Sequence, residues 1–574
     1  MTERQFILLL SIMVGFTSGL VAVFLKNMVH LIQVIIGSEV VSQYENYLYF
    51  VYPGVGVLIT VLIIKYVIKK KVGHGIPSTL FAISKKGARI PKHSTYASIF
   101  ASMITVGFGG SVGLEGPTVG SSSAIGSNFA QWGRMSYKIR TLMLGCGAAG
   151  AMSGIFNAPI AAIVFALEVI MLDLTAASLI PLLMASVSAA LTSTFISGDE
   201  TLFNIEVLER FSLSDLPFYL LLGVFTGLVS VYFSKVYWFV ENRFERINGI
   251  FARVGVGAAI LGVLIFFLPP LYGEGFSTIK QLLNGNESHL LEGSIVYEYA
   301  DITWVVLVFI LLVTIIKAVA TSVTLGAGGV GGVFAPSLFI GSAIGFVFAK
   351  SINLLNWFGL SERNFTLVGM GGVIAGILHA PLTALFLIAE ITGGYELVIP
   401  LMLTAAISFL TSKYFNPHSL YTMQLAKRGE LITHNKDKAV LTLMKLKSEV
   451  ETDFMCVNPN DTLGELVKTV SFSKRNIFPV IDGEGGLVGI VLLDDIRQIM
   501  FEPNLYDKLL VKELMSDYPE SISSIESMDA VMQKFNRTGA WNLPVIDNDK
   551  YVGFVSKSKL FNAYRKVLQN FSDE

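Results

Sequence analysis

Long apolar runs separated by short polar stretches fill the first three quarters of the chain. The first run, residues 6–25, carries no charge and is long enough to cross about 30 Å of hydrocarbon as a helix. Further runs lie near residues 47–68, 94–108, 138–153, 158–172, 176–197, 216–240, 253–272, 302–325, 335–355 and 366–412. Several are short or broken by Gly and Pro, which is tolerated at membrane depth only where protein or a polar cavity covers the freed backbone. The pattern predicts an all-α polytopic membrane domain whose broken segments line a site.

A different pattern begins near residue 425. Short apolar runs divided by Asp, Gly and Asn turns predict two hairpins, 478–482 with 487–491 and 543–547 with 551–555. A helical pattern precedes each hairpin, near 461–474 and 526–538. We therefore divide the chain into a membrane domain, a linker and two α+β repeats. Their predicted bounds are 1–424, 425–448, 449–505 and 506–574.

Composition separates the same two parts. The 574 residues are 53% hydrophobic and 15% charged, whereas an average soluble protein has about 25% charged residues, and the charges are much rarer before residue 425 than after it. The net charge of −1 gives no electrostatic basis for binding nucleic acid. Two cysteines, Cys146 and Cys456, are too few for a disulfide framework. These features exclude a secreted or purely cytosolic enzyme.

The membrane domain contains an internal repeat. The segment 111–126 is similar to the segment 329–345, with Pro117 aligned with Pro336 at an offset of 219. Farther on, Pro159 aligns with Pro381 at an offset of 222. Repeated hydrophobic segments broken by Gly and Pro are typical of transporters and channels whose site lies at the repeat interface. The alternative is that both halves carry small residues only because membrane helices pack through them. That alternative does not explain why the two motifs recur in the same order in both halves.

Three of the broken segments end in a proline that favours the start of a helix. A helix that begins near Pro117 directs its free N–H groups and the positive end of its dipole towards the glycine-rich turn before it. The same arrangement recurs before Pro336 and, in shorter form, before Pro77. Glycine has no Cβ, so an ion can approach the main chain closely. Three such helix starts around one cavity predict an anion site without a full positive charge.

Glu115 lies at the second of these helix starts. A carboxylate there is satisfied by the same donors that would hold a small anion, so it competes with the anion for the site. Protonation of Glu115, or a swing of its side chain, would vacate the site. The alternative is a plain helix-capping carboxylate. Because an ionisable residue inside a membrane is a functional candidate by default, we predict that Glu115 is a gate.

The segments 73–77, 110–117 and 331–336 resemble the three anion-filter motifs of the CLC family of chloride channels and transporters, in the family's order. Residues 419–421 fall where the family has its last pore residue. The resemblance covers residues 10–425 and implies two inverted repeats and a homodimer with one pore per subunit. It also implies that Glu115 is the family's external gating glutamate and that the Tyr421 hydroxyl helps to hold the central anion. The implied anion-binding residues are His74, Gly75, Ile76, Gly113, Leu114, Glu115, Gly116, Val333, Phe334, Ala335 and Tyr421.

Two departures from the family's motifs concern the anion. His74 replaces the usual serine, and imidazole donates one N–H when neutral and two when protonated, so anion binding is expected to depend on pH near neutrality. A packed, satisfied histidine is the alternative. That position influences anion preference in the family, so nitrate or another halide is the alternative to chloride. Leu114 replaces a frequent basic residue, which weakens electrostatic attraction at the outer mouth.

A third departure concerns mechanism. Family exchangers commonly carry a proton-transfer glutamate directly after the position of Glu168, and this chain has Val169 there. Valine cannot relay a proton, so the resemblance implies a passive channel. Because some family exchangers lack that glutamate, proton-coupled anion exchange remains the alternative. For Glu168 and its repeat counterpart Glu390 we predict a structural part, the binding of buried backbone groups.

The two α+β repeats resemble a pair of CBS domains, which is common after CLC membrane domains. Such pairs often bind adenine nucleotides through a hydroxyl residue and an aspartate in the pattern Gly-x-x-Ser/Thr-x-x-Asp. The first repeat has Asp495 but Leu492 at the hydroxyl position, and the second has Ser556 but Lys559 at the acid position. Neither pattern is complete. We therefore expect a structural or dimerising role, with Asp495 and Ser556 as weak nucleotide-binding candidates.

Other classes of function fit the sequence poorly. An intramembrane enzyme using Glu115 or His74 would lack a nucleophile or a metal-ligand cluster, since no Cys/His pairing and no HExxH motif is present. A cation channel would need acidic rings or carbonyl filters, whereas the helix starts present donors. We expect no resident cofactor and no metal, with small anions and lipid as partners. The expected location is the plasma (cell inner) membrane with a cytoplasmic C-terminal domain.

Overall fold

A computed structural model describes residues 2–36, 45–70, 72–73, 75–170, 176–198, 203, 211–356, 358–427, 441, 444 and 446–572. The chain divides into two compact units, Met1–Glu430 and Leu431–Glu574. The described part of the first unit is helical, and the strands lie in the second. Most of the predicted linker 425–448 lies outside the described residues.

The first unit is an assembly of helices of very different lengths. Its α-helices are α1 (Glu3–Ile36), α2 (Glu45–Leu62), α3 (Ile76–Lys85), α4 (Ser94–Gly107), α5 (Glu115–Trp132), α6 (Tyr137–Phe156), α7 (Pro159–Glu168), α8 (Ala176–Ser197), α9 (Leu216–Glu245), α10 (Ile250–Phe267), α11 (Phe276–Leu283), α12 (Thr303–Gly326), α13 (Phe334–Asn353), α14 (Glu362–Leu378), α15 (Pro381–Ile391), α16 (Val398–Phe415) and α17 (Met423–Lys427). Nine helices of the described chain are long and apolar enough to cross a membrane: α1, α2, α6, α8, α9, α10, α12, α13 and α16. The long apolar run 366–412 is divided among α14, α15 and α16.

The two halves of this unit have the same local structure where their sequences repeat. Asn157 follows the last residue of α6 and His379 follows the last residue of α14, and both adopt a left-handed conformation with φ of 54° and 57°. An Ala-Pro pair follows in each case, and the proline opens the next helix, α7 or α15. Proline suits that first position because its missing N–H would have no partner there.

Glycines let the helices of each half pack backbone to backbone. A Cβ atom added to Gly126 of α5 would lie 2.0 Å from the carbonyl oxygen of Met143 in α6. In the second half, a Cβ on Gly345 of α13 would lie 2.0 Å from the carbonyl oxygen of Phe365 in α14. Small residues allow this close approach, and membrane helices associate by such packing. Gly126 and Gly345 are 219 positions apart, so the sequence repeat corresponds to a repeat of packing.

The second unit contains two antiparallel hairpins, as predicted. Their strands are β1 (Ile477–Ile481), β2 (Leu487–Leu492), β3 (Asn542–Asp547) and β4 (Lys550–Ser556). Each hairpin has a register shift at the same place, between Val480 and Ile481 and between Val545 and Ile546. The described α-helices are α18 (Leu446–Glu449), α19 (Leu463–Phe472), α20 (Leu493–Ile496), α21 (Val511–Leu514), α22 (Met528–Thr538) and α23 (Lys557–Ser572).

Each hairpin covers its own apolar core. The first core includes Leu466 and Phe478, and the second includes Phe535 and Leu543. A third cluster joins the two repeats and consists of Ile477, Ile490 and Phe554, with Phe454, Tyr518 and Tyr551 packed against it. The backbone also links them, because Glu451, which precedes the first repeat's strands, exchanges hydrogen bonds with Phe554 of β4. The two repeats therefore form one module.

Candidate anion pathway

The second and third glycine-rich segments are joined by a pair of backbone hydrogen bonds. The N–H of Gly113 donates to the carbonyl oxygen of Gly332 at 2.8 Å, and the N–H of Gly332 donates to the carbonyl oxygen of Gly113 at 2.7 Å. These glycines are 219 positions apart, the offset of the sequence repeat. The bridge therefore lies where the two halves of the membrane domain meet.

The first segment packs against this junction. Gly75 has φ of +57°, and a Cβ on it would lie 2.3 Å from the carbonyl oxygen of Gly116. A Cβ on Gly116 would lie 3.0 Å from the Cα of Gly332. Only glycine fits such close approaches. All three segments therefore meet through their main chains, as the sequence predicts, although His74 itself lies outside the described residues.

Each segment leads into a helix. Helices α3, α5 and α13 begin at Ile76, Glu115 and Phe334, and none has a side-chain cap on its first turn. The helices of the second and third segments begin two residues earlier than the prolines suggested, and each proline occupies the third helical position. That position also needs no N–H donor, because the first four N–H groups of a helix have no intrahelical partner. The free donors and positive dipole ends of the helices thus gather around the glycine junction.

Glu115 is the first residue of α5 and is fully buried. Neither of its carboxylate oxygens makes a hydrogen bond of normal geometry to a described residue. The backbone N–H groups of Glu115 and Ala335 are directed at them, and Glu274, Lys26 and Tyr421 lie close enough to interact electrostatically. The carboxylate thus occupies the position between helix starts that the sequence analysis assigned to an anion.

A cavity of about 40 Å³ adjoins the junction, and we call it the Tyr421 cavity. Its volume exceeds the 10–15 Å³ or so that one water requires. The hydroxyl of Tyr421 is buried and makes no hydrogen bond to a described residue. The lining residues are Ile76, Pro77, Gly116, Tyr237, Trp238, Glu241, Leu325, Gly331, Gly332, Val333, Leu420 and Tyr421. Parts of all three predicted segments therefore share one cavity with the predicted last pore residue.

A second cavity, of about 690 Å³, has no lining residue in common with the first. Glu274 lines it, and its carboxylate accepts a hydrogen bond from the N–H of Leu114 at 3.1 Å. The fully buried Lys317 donates to the carbonyl oxygens of Leu271 and Gly273, at 3.3 and 2.9 Å, and so holds the loop that carries Glu274. The amide of Leu114, a predicted anion contact, is thus already engaged by Glu274.

Several charged or polar residues around the junction belong to no motif in the sequence. Glu274 and Glu241 belong to segments far from the three motifs. Lys317 did leave a signal, because it is the one charged residue of the apolar run 302–325, and an isolated charge inside such a run is a functional or structural candidate. Thr105 and Thr324 were not predicted either, although their hydroxyls accept hydrogen bonds from backbone N–H groups at the junction.

Glu168 and Glu390 bind each other's helix in a reciprocal way. Glu168, at the end of α7, accepts hydrogen bonds from the N–H groups of Leu382 and Thr383 at the start of α15, at 3.1 and 2.7 Å. Glu390, near the end of α15, accepts from the N–H groups at the start of α7, those of Ile160 and Ala161, at 3.0 and 2.8 Å. Both carboxylates therefore satisfy free helix donors, which is the structural part expected of them.

Ser556 and Asp495 are the weak nucleotide-binding candidates of the second unit. The hydroxyl of Ser556 accepts a hydrogen bond from the N–H of Lys559 at 3.3 Å, at the start of α23. The Lys559 ammonium lies 4.0 Å from a carboxylate oxygen of Glu451, and Asp495 is exposed. Ser556 thus acts as a helix cap. Within the residues that the structure describes, no group of three or more His, Cys, Asp or Glu side chains is arranged to hold a metal.

Comparison with known proteins agrees with this architecture. The voltage gated chloride channel family model matches residues 55–413, and the CBS domain model matches residues 447–502 and 511–566. An H(+)/Cl(-) exchange transporter ClcA of Vibrio cholerae is 26% identical over 438 residues, covering 73% of this chain and 89% of its own. A voltage-gated ClC-type chloride channel ClcB of Escherichia coli is 29% identical over 336 residues, covering 57% and 75%.

Solved structures share the fold. A slow cyanobacterial Cl-/H+ antiporter superimposes with a TM-score of 0.64 at 21% identity, covering 75% of this chain and 98% of its own. A eukaryotic CLC transporter gives 0.61 at 17% identity, covering 96% and 97%. The fold and junction thus define an integral membrane protein that transports anions. The chain belongs to the CLC family, with a CBS domain pair after its membrane domain, and the expected fold class is confirmed.

Proposed function

We propose that this chain carries chloride or a similar small anion across the plasma (cell inner) membrane through one pathway per subunit, with Glu115 as the gate. The meeting of three glycine-rich segments and three helix starts around the buried Glu115 carboxylate supports this proposal. The donors there are neutral backbone groups. They can bind an anion well enough to dehydrate it and weakly enough to release it.

The gate works by competition. A deprotonated Glu115 occupies the donors directed at it, including the N–H of Ala335. An anion that arrives through the Tyr421 cavity reaches the same donors only when the carboxylate is neutral or has moved away. The hydroxyl of Tyr421 and the backbone near Val333 and Gly116 are the groups that the anion would meet in the cavity.

Two modes of transport fit this gate. Val169, buried at the end of α7, supports passive conduction, the mode expected from the sequence, because its side chain cannot carry a proton. One observation favours proton-coupled exchange as the second candidate: Glu241 lines the Tyr421 cavity. The named relatives include both channels and exchangers.

The test uses the full chain in proteoliposomes under a chloride gradient, with chloride and proton movement recorded together. Chloride flux that the Glu115→Gln substitution makes less dependent on pH supports the gate. Proton movement uphill at a fixed ratio to chloride would establish exchange, and chloride flux without proton movement would establish passive conduction. A wild-type chain that moves no anion would refute the proposed function.

We also propose that the chain is a homodimer with a cytoplasmic CBS pair of structural or dimerising function. Exposed apolar side chains on α8 and α16, among them Leu183, Leu191, Met402 and Leu410, offer a surface for a second copy within the membrane. Photobleaching steps of single labelled complexes would reveal the number of subunits. Equilibrium dialysis with an adenine nucleotide tests the alternative role for Asp495 and Ser556.

A further inference from the structure

Glu241 lies in the last turn but one of α9, 90 positions before the nearest filter motif, which begins at Gly331. It lines the Tyr421 cavity together with Tyr237, which precedes it by one helical turn. The Tyr237 hydroxyl and the Glu241 carboxylate lie close enough to interact. Glu241 is only partly buried. The cavity that adjoins the filter therefore contains a carboxylate on a residue that is not fully enclosed.

A series of ionisable groups connects this carboxylate with the gate. Tyr237, the partner of Glu241, is close enough to Tyr421 for the two rings' hydroxyls to interact electrostatically. Tyr421 interacts in the same way with Glu115. The cavity that these groups share has a volume of about 40 Å³, which accommodates water between the hydroxyls. Groups able to hold or pass a proton therefore extend from Glu241 to Glu115.

The position after Glu168 does not provide such a route. Val169 has no ionisable group, and Glu168 uses its carboxylate oxygens as acceptors for Leu382 and Thr383. Of the described residues that line the Tyr421 cavity, Tyr237 and Tyr421 are the titratable ones besides Glu241. Helix α12 contributes the apolar Leu325 to its wall, and the segment before α13 contributes glycines and a valine.

We propose that Glu241 takes up and releases protons at the Tyr421 end of the pathway and exchanges them with Glu115. This inference rests on the proposed function, and it favours proton-coupled exchange over the passive conduction that Val169 suggests. A proton from solution binds the Glu241 carboxylate. The Tyr237 hydroxyl then accepts that proton and gives up its own towards Tyr421 and the cavity water, and the Glu115 carboxylate receives one. The reverse sequence returns the proton, so no other reactant is consumed.

The test measures the ratio of protons to chloride ions moved by the full chain in proteoliposomes. Glu241→Gln keeps the size of the side chain but cannot ionise, so the ratio is expected to fall by about tenfold or more, as for the loss of a positioned acid–base group. Tyr237→Phe removes the bridging hydroxyl and is expected to lower the ratio in the same direction. Glu241→Asp retains an acid and is expected to recover part of the ratio.

Glu245→Gln is the matched control, because Glu245 is an exposed carboxylate one turn farther along α9 and does not line the cavity. It is expected to keep the wild-type ratio. An unchanged ratio in Glu241→Gln would overturn the inference. Equal loss of chloride and proton movement in both Glu241→Gln and Glu241→Asp would also overturn it, since it would show a merely structural role. Wild-type chloride flux without proton movement overturns the inference but leaves the proposed anion transport intact.

Discussion

Thr105 and Thr324 occupy the same place in the two halves of the membrane domain, and each hydroxyl accepts a hydrogen bond from the other half. The N–H of Val330 donates to Oγ1 of Thr105 at 3.1 Å, and the N–H of Ser111 donates to Oγ1 of Thr324 at 3.3 Å. Both pairs are buried. Thr105 and Thr324 are 219 positions apart, and so are Ser111 and Val330. The glycine junction is therefore held by the side chains of the helices that precede it, α4 and α12.

Thr105→Val and Thr324→Val are expected to destabilise the junction, because each leaves a buried amide without its acceptor. The free energy of unfolding should fall by about 1–3 kcal/mol for each substitution, with a loss of chloride flux. Thermal unfolding in detergent, followed by flux measurements, checks this. Thr105→Ser and Thr324→Ser retain the hydroxyl and serve as controls. Valine variants as stable and active as the serine variants would show that the bonds are dispensable.

Gly113 leaves room for the carboxylate of Glu115. A Cβ on Gly113 would lie 2.1 Å from Oε2 of Glu115 and 2.9 Å from the Cβ of Ala335. The end of a glutamate side chain can move, whereas the Cβ of Ala335 moves only with its backbone. We therefore expect Gly113→Ala to displace Glu115, to make chloride flux less dependent on pH and to lower stability as well. Flux across a pH series in proteoliposomes measures this.

Substitutions of two further glycines provide the comparison for Gly113→Ala. A Cβ on Gly332 would lie 2.8 Å from the backbone nitrogen of Gly116, and a backbone cannot swing aside. Gly332→Ala should therefore cost about 1–3 kcal/mol of stability. Gly255 has open space around a Cβ, so Gly255→Ala should match the wild type. A wild-type pH profile in Gly113→Ala would contradict the displacement of Glu115.

The main-chain part of the site could be predicted from the sequence because it is local chemistry. Glycine and proline restrict the backbone of their own segment, so the helix starts after Gly75, Leu114 and Val333 follow from the motifs themselves. The repeat then predicts that two of these segments have equivalent positions. The paired hairpins of the second unit were predictable for the same reason, because short apolar runs and the turn residues between them are local patterns.

The side chains that surround the junction could not be predicted in this way. Glu241 and Glu274 reach it only because α9 and the loop before α11 pack there, and no local pattern marks these residues. The reciprocal bonds of Glu168 and Glu390 were suggested by the aligned repeats, but their partners at the starts of α15 and α7 required the arrangement of the helices. These pairings join segments more than 150 positions apart and carry no motif, so they depend on tertiary packing.

Glu115→Gln is expected to abolish most of the pH dependence of chloride flux. Glutamine resembles the protonated glutamic acid and carries no charge, so it cannot bind the donors as an anion does. Flux at high pH, where the wild-type carboxylate blocks the site, should therefore rise towards the value at low pH. Chloride efflux from proteoliposomes across a pH series measures this. A variant with the wild-type pH profile would count against the gate.

Glu168→Ala and Glu390→Ala are expected to lower stability by similar amounts, about 1–3 kcal/mol each, because each leaves two helix-start amides without an acceptor. Glutamine variants retain one acceptor oxygen and should lose less. Thermal unfolding in detergent checks the order, with the exposed Glu396→Ala as the control. Alanine variants no less stable than Glu396→Ala would exclude the structural role.

Asp547, at the end of β3, gives the CBS pair a dependence on acid. Hydrogen bonds from Ser524 and Ser523 hold the pKa of the Asp547 carboxyl below its usual range. A lowered pKa stabilises the folded state at pH values above the unfolded-state pKa of about 3.9, and this stabilisation is lost as pH falls through the lower folded-state pKa. Asp547→Asn should therefore speed amide hydrogen exchange in residues 542–556 at neutral pH, while the difference from wild type shrinks in acid. Asp549→Asn, in the adjoining turn, is the control, and equal exchange in the two variants at neutral pH would contradict the role of the Asp547 charge.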